Sequence, residues 1–261
     1  NKLRTPELFE PEFLDTLLVP PKGAMFDHWT PLVWLAATLA PLFFMKRWIN
    51  RHLQGLGLLL LGDSDRAMLL YFVLLLPGIL IHELSHWLAA KLLGVRTGKI
   101  SFGPSNRRGN QMRLGSVNVA RTDPFRASLI GVAPLITGSL AILIIGQLIL
   151  GLGDLEKVLL NGEWGPVWEG ILAHLRAPDF WLWLYLIFAV SNAMLPSETD
   201  REPWKPVLLF VGLVALLFYL TGWVRQVPER VTDASLTGLS YLAYAFSLTI
   251  AVDVIFIALI A

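Results

Sequence analysis

The sequence predicts an all-α polytopic membrane protein of about six membrane segments, interrupted by one small β-hairpin. Three observations predict it. Apolar residues make up 55% of the 261-residue chain and charged residues only 16%, gathered into several long apolar runs. Turn and cap signals separate those runs: Asp63-Ser64-Asp65, Thr122-Asp123-Pro124 and Pro196-Ser197. Between two of the runs, residues 95–126 are polar, basic and too irregular in hydropathy to span. The formal net charge of +1 gives no support to nucleic-acid binding, so none is expected. The absence of cysteine removes disulfides, thiol nucleophiles and Cys-type zinc sites. No cleavable signal peptide is legible.

The elements follow in order, in three regions: 1–66, an intramembrane core over 67–201, and C-terminal helices over 202–261. Within 1–30, Leu8, Phe9, Phe13, Leu14 and Leu17 suit either a broken amphipathic helix at the membrane surface or a loop packed on the protein. Pro31–Met45 is apolar but short, ended by Lys46-Arg47, and Leu53–Leu61 is apolar again. The pair reads as one span plus a re-entrant piece. The next helix has N-cap candidates at Asp63, Ser64 and Asp65 and a C-terminal stop at Gly94. At about 29 residues it is roughly 43 Å long, with a kink expected at Pro77-Gly78. Residues 99–102 and about 112–119 read as two strands joined by a turn over Asn106 to Asn110. Lys99, Arg107, Arg108, Arg113, Arg121 and Arg126 make this loop cytoplasmic by the positive-inside rule.

Pro124 then opens a helix running to about Gly151, with small residues at Gly131, Gly138 and Gly146 for close packing. Residues 152–177 are acidic and suit the outer side. A helix from about Asp179 to Leu195 starts at an aromatic belt of Trp181, Trp183 and Tyr185 and is stopped by Pro196. Apolar runs over Pro206–Val224 and Leu236–Ala261 complete the spans. The last contains Asp253, an intramembrane carboxylate that is a functional candidate unless it lies at the helix end or pairs with an arginine such as Arg201.

Chemistry enters at His82-Glu83-Leu84-Ser85-His86, an H-E-x-x-H pattern inside the apolar run from about Ala67 to Leu93. Residues four apart share a helix face, so two imidazoles can bind one zinc ion while Glu83 serves as general base toward water. The bland alternative is a pair of histidines hydrogen-bonded to neighbours, but three ionisable groups in one turn of a span are costly without a purpose. The histidines lie about 8–14 Å from the Lys91 end, buried but near one face. A catalytic zinc needs a third protein ligand, and no third histidine follows at soluble-protease spacing. His174 falls in the acidic loop, and His28 and His52 lie upstream. The helix from Asp179 returns to the right side and stops at Pro196, which makes Asp200 the first candidate and Glu198 the second; a solvated cap beside Arg201 is the competing role for Asp200.

HELSHWLAA within a span, the SFGP strand at 101–104, GVAPLITGS, and Asn192 with Pro196 and Asp200 together resemble the site-2 protease family of intramembrane zinc metalloproteases. The likeness covers about residues 67–201. The family pattern N-x-x-P-x-x-x-x-D-G keeps its eight-residue offset from Asn192 to Asp200, with proline one position late and Arg201 in place of glycine, as in a divergent member. The resemblance implies that Asp200 completes a Zn²⁺ site with His82 and His86, that Asn192 helps to hold the substrate backbone, and that 99–119 forms a membrane-associated β element. That element would pair with an extended substrate strand.

The expectation is therefore a zinc endopeptidase of the bilayer, with Glu83 catalytic, cutting a transmembrane protein near the cytoplasmic face of an inner or plasma membrane. Its rival is a catalytically inactive relative serving as a structural or regulatory subunit of a larger membrane complex. A transporter with a metal or proton site is disfavoured because no inverted repeat is visible.

Overall fold

A computed structural model describes residues 30–105, 113–150, 179–223 and 228–261. It is mostly helical, with one two-stranded sheet. Five helices are long and apolar enough to cross a membrane, and Phe180–Met194 is a shorter apolar helix. The surface segment expected within 1–30, the hairpin turn at Asn106–Asn110 and the acidic loop 152–177 fall outside these residues, apart from Thr30, where the first helix begins.

Helix α1 (Thr30–Leu61) is one unbroken helix of 32 residues, so the span plus re-entrant piece expected over 31–61 is not what forms. Lys46 does not end the helix, because its ammonium turns inward and donates to the Leu195 carbonyl at 3.5 Å. The glycines cost about 1 kcal/mol each in a helix interior, too little to break one that packs along its length. Gly62 (φ +64°) then reverses the chain. Asp63, extended, accepts the Arg66 N–H at 2.9 Å and starts α2 (Ser64–Leu92), which carries His82-Glu83-Leu84-Ser85-His86. Gly94 (φ +69°) follows its end as anticipated.

Strands β1 (Thr97–Ser105) and β2 (Arg113–Val119) pair antiparallel, with Ile100 opposite Val117 and Phe102 opposite Gly115. Both match the expected strands to within a few residues. Helix α3 (Pro124–Ile144) starts on Asp123, which accepts the Arg126 N–H at 3.0 Å. That bond holds the Asp123 carboxyl below the usual carboxylate range. A π-turn, Ile145–Ile149, carries α3 to its end at Leu150.

Helix α4 (Phe180–Met194) stops before Pro196, and the four-residue α5 (Glu198–Arg201) follows at once. Helix α6 (Trp204–Leu220) buries none of its residues against the described chain. Helix α7 (Glu229–Ile260) begins about two turns before the apolar run at Leu236, because helical hydrogen bonding continues through Thr232, Asp233 and Ser235 where hydropathy drops.

One hydrophobic core joins α1, α2, α3, α4 and α7, with Ile49, Leu75, Ile142, Ile187 and Phe246 almost wholly enclosed. The crossing of α2 and α4 is unusually close. A Cβ built on Gly78 would lie 1.9 Å from the Ala189 carbonyl oxygen, so only glycine fits there. In the same region the Tyr185 hydroxyl donates to the Leu74 carbonyl at 2.9 Å, in the turn that Pro77 perturbs. This crossing sets the lower end of α4 beside His82.

Candidate metal centre

His82 and His86 lie one helical turn apart on α2, with ring centroids 4.7 Å from each other. The backbone carbonyl of Ile130, on α3, lies 2.8 Å from His86 Nδ1. A carbonyl can only accept, so that nitrogen carries a proton, and in the neutral ring Nε2 is the atom whose lone pair faces a metal. His82 Nδ1 is buried toward the Ala193 backbone without completing a hydrogen bond of ordinary geometry among the described residues. Its Nε2 lies 3.1 Å from His86 Nε2. Asp200 closes the group, with Oδ1 3.3 Å from His86 Nε2 and Oδ2 3.8 Å from His82 Nε2.

Those three separations can be tested against a cation. Ligands about 2.1 Å from a tetrahedral ion are about 3.4 Å from one another. The 3.1 Å between the two imidazole Nε2 atoms and the 3.3 Å from His86 Nε2 to Asp200 Oδ1 lie close to that edge, while the 3.8 Å contact with His82 is made by the other carboxylate oxygen. One ligand atom from each residue lies within 4.8 Å of the others, close enough for modest shifts to bring them onto one ion. Among the described residues this is the group of three His, Asp or Glu side chains that could hold a metal. Glu198, the second candidate, does not join it. His52 stacks on Trp48 and accepts no place near the site, while His28 and His174 lie outside the described residues.

Asp200 reaches the histidines because of the turn that carries it. Ser197 and Asp200 form a capping box: the Ser197 backbone N–H donates to Asp200 Oδ2 at 2.8 Å, and the Ser197 hydroxyl donates to the same oxygen at 2.5 Å. With Oδ2 anchored, Oδ1 faces His86. The cap role weighed against the ligand role is therefore real, and it leaves Oδ1 placed where a metal ligand could serve. Arg201, where the resembled pattern has glycine, is helical, and no non-glycine residue among those described has positive φ. The backbone here does not require glycine. The requirement is displaced to Gly131 on α3, where a Cβ would meet the Asp200 carbonyl oxygen at 2.2 Å.

Glu83 is 7% exposed and lies against β2: a Cβ on Gly115 would fall 2.8 Å from its Oε1. The hairpin thus reaches back along α2 and covers the carboxylate. Ser85, inside the motif, contacts Thr137 of α3 hydroxyl to hydroxyl at 2.5 Å, which ties the two helices together. A cleft of about 910 Å³ opens onto the group, lined by His82, Glu83, His86, Asp200, Asn192 and Lys46, with residues 114–117 of β2 along one wall.

Asn192 is 5% exposed, and its amide donates to the Phe188 carbonyl at 2.9 Å and to Asp253 at 3.4 Å. Asp253 does not pair with Arg201. The Arg201 guanidinium donates instead to the Ser197 carbonyl on an exposed turn, whereas Asp253 is enclosed against α4. Lys46 was missed as a site residue because its charge reads as the end of a span. A single inward lysine within an otherwise continuous helix is the signal that could have found it. No family model matches the chain, and neither the curated proteins nor the solved structures hold a match.

Proposed function

We propose that the protein is an intramembrane zinc metalloendopeptidase that cleaves a transmembrane protein substrate near the cytoplasmic face of the membrane. The observation that carries the reading is the convergence of His82, His86 and Asp200, one ligand atom from each within 4.8 Å of the others, in a cleft that also holds buried Glu83. Two imidazoles and a carboxylate suit Zn²⁺, which at such a site supplies Lewis acidity to a carbonyl and to the attacking water. His86, its tautomer fixed by Ile130, and Asp200, anchored by Ser197, are the pre-oriented ligands.

Glu83 takes the proton from water and returns it to the leaving amine, within a site that the hairpin shields from bulk solvent. The substrate must arrive extended, because a helix in lipid has its backbone fully hydrogen-bonded and its carbonyls are not open to attack. Strand β2, against Glu83, is suited to pair with such a segment. Five helices of spanning length and apolar character, with α6 leaving most of its apolar surface exposed, support the membrane setting.

Purified protein is expected to hold one zinc per chain and to cleave a membrane substrate. Both properties should fall in acid, as protons compete with metal for the two imidazoles. Glu83→Gln should keep the zinc and abolish cleavage. Cleavage that survives this substitution sinks the mechanism.

A further inference from the structure

We propose that Asp253 is a positioning residue, which fixes the Asn192 amide so that its oxygen accepts a backbone N–H of the peptide in the cleft. The inference rests on the peptidase reading for the identity of the occupant. It starts from a carboxylate that the metal chemistry leaves unused. Asp253 is 2% exposed on α7, and its Oδ1 receives two donors from α4, the Ser191 hydroxyl and Asn192 Nδ2, each at 3.4 Å. A buried carboxylate needs such donors and a nearby counter-charge. The Lys46 ammonium, which lines the cleft, lies within electrostatic reach.

The consequence falls on Asn192. A side-chain amide has a donor end and an acceptor end, and crystallographers must often choose between them from the neighbours. Here the neighbours leave no choice. Both groups facing Nδ2, the Phe188 carbonyl and the Asp253 carboxylate, are acceptors. Turning the amide over would set its oxygen against two oxygens. Asp253 and Phe188 together therefore hold Nδ2 inward and force Oδ1 the other way.

That oxygen is buried and has no hydrogen-bond partner among the described residues, although Asn192 lines the cleft beside His82, Ala193 and Asp200. An unsatisfied buried acceptor costs about 1–3 kcal/mol, a cost that a ligand donor relieves. The donor that every extended peptide supplies, whatever its side chains, is the backbone N–H. Asp253 sets the direction of this contact without touching the peptide itself.

The test uses full-length protein carrying Glu83→Gln, so that bound peptide is not cut, in detergent micelles. The probe is an apolar Leu/Ala peptide of about 20 residues with a central Gly-Pro break, and a series in which one backbone nitrogen at a time is methylated. In this parent protein one methylated position should bind about five- to tenfold more weakly than the unmodified peptide, the loss of one hydrogen bond. Asn192→Ala and Asp253→Ala should abolish that position dependence, whereas Asp253→Asn, which keeps an acceptor oxygen, should retain it. Position dependence that survives in Asp253→Ala, or disappears in Asp253→Asn, overturns the assignment. The second variant keeps the test decisive if the first fails to fold. Zinc content of the same preparations separates this proposal from the one it rests on. Zinc absent with the methyl dependence intact overturns the metallopeptidase reading alone. Zinc present with no methyl dependence in the parent protein overturns the role of Asp253 alone.

Discussion

Asp200 divides its two oxygens between its own turn and the histidines, and that division explains how a four-residue helix can present a candidate metal ligand. Oδ2 is spent on the Ser197 capping box, which leaves Oδ1 oriented toward His86. Asp200→Ala should remove ligand and cap together, so zinc affinity is expected to fall by at least about a hundredfold, read by competition with a chelating dye. Unchanged zinc content would transfer the ligand role to Glu198. Ser197→Ala is the sharper variant, since it keeps the ligand and loosens only its support. Losing a hydrogen bond that orients a ligating carboxylate weakens a metal site about 10- to 100-fold, and an unaltered affinity would show that the capping box does not orient the carboxylate. At this scale the sequence was informative. His82, Glu83, His86 and Asp200 were legible because helical spacing and a proline stop are local properties. The inward turn of Lys46 and the Asp253–Asn192 contact were not, since both depend on which faces of α1, α4 and α7 meet.

Among the elements, α3 supports the candidate ligands from behind: Ile130 orients His86, and Gly131 makes room for the Asp200 turn. An alanine at 131 would put its Cβ 2.2 Å from a backbone oxygen, which cannot move as a side-chain tip would. Gly131→Ala should therefore displace α5 and lower zinc affinity about tenfold or more, while circular dichroism reports intact helices. Full zinc binding by this variant would mean that the turn shifts without consequence for the site. Gly78→Ala acts elsewhere, on the α2–α4 crossing, and should cost several times the ordinary 0.5–1.5 kcal/mol of a small packing change through backbone displacement. Helix existence and order were legible from apolar runs and caps. The single 32-residue α1 was not, because a charged pair flanked by apolar stretches looks the same whether it ends a span or tucks inward. Nor can a sequence say which of several glycines marks a close crossing. Gly131 and Gly138 look alike as letters, yet a Cβ at 131 would meet a backbone carbonyl of another element and one at 138 the side chain of Met194.

For the whole molecule, the open question is direction. The site lies toward the end where α2 gives way to the hairpin and where α4 stops, and β2 folds back over it, so the hairpin and the site share one side. By the positive-inside rule, the basic residues of 95–126 predict that this side faces the cytoplasm. Connectivity then sets the start of α7 opposite, because α6 leaves the hairpin side at Trp204 and α7 returns from Glu229. The chain contains no cysteine, so a single introduced thiol reports its position without background. Lys99→Cys on β1 and Arg230→Cys at the start of α7 are both at exposed positions. In intact cells a membrane-impermeant maleimide should label Arg230→Cys and spare Lys99→Cys, which should react once the membrane is opened. The opposite pattern would turn the molecule over and put the cleft on the outer face. Labelling of both in intact cells would mean that these helices do not separate the two positions by a bilayer. The measurement tests the membrane setting independently of any catalytic property, and it decides whether substrate is cut near the cytoplasmic face.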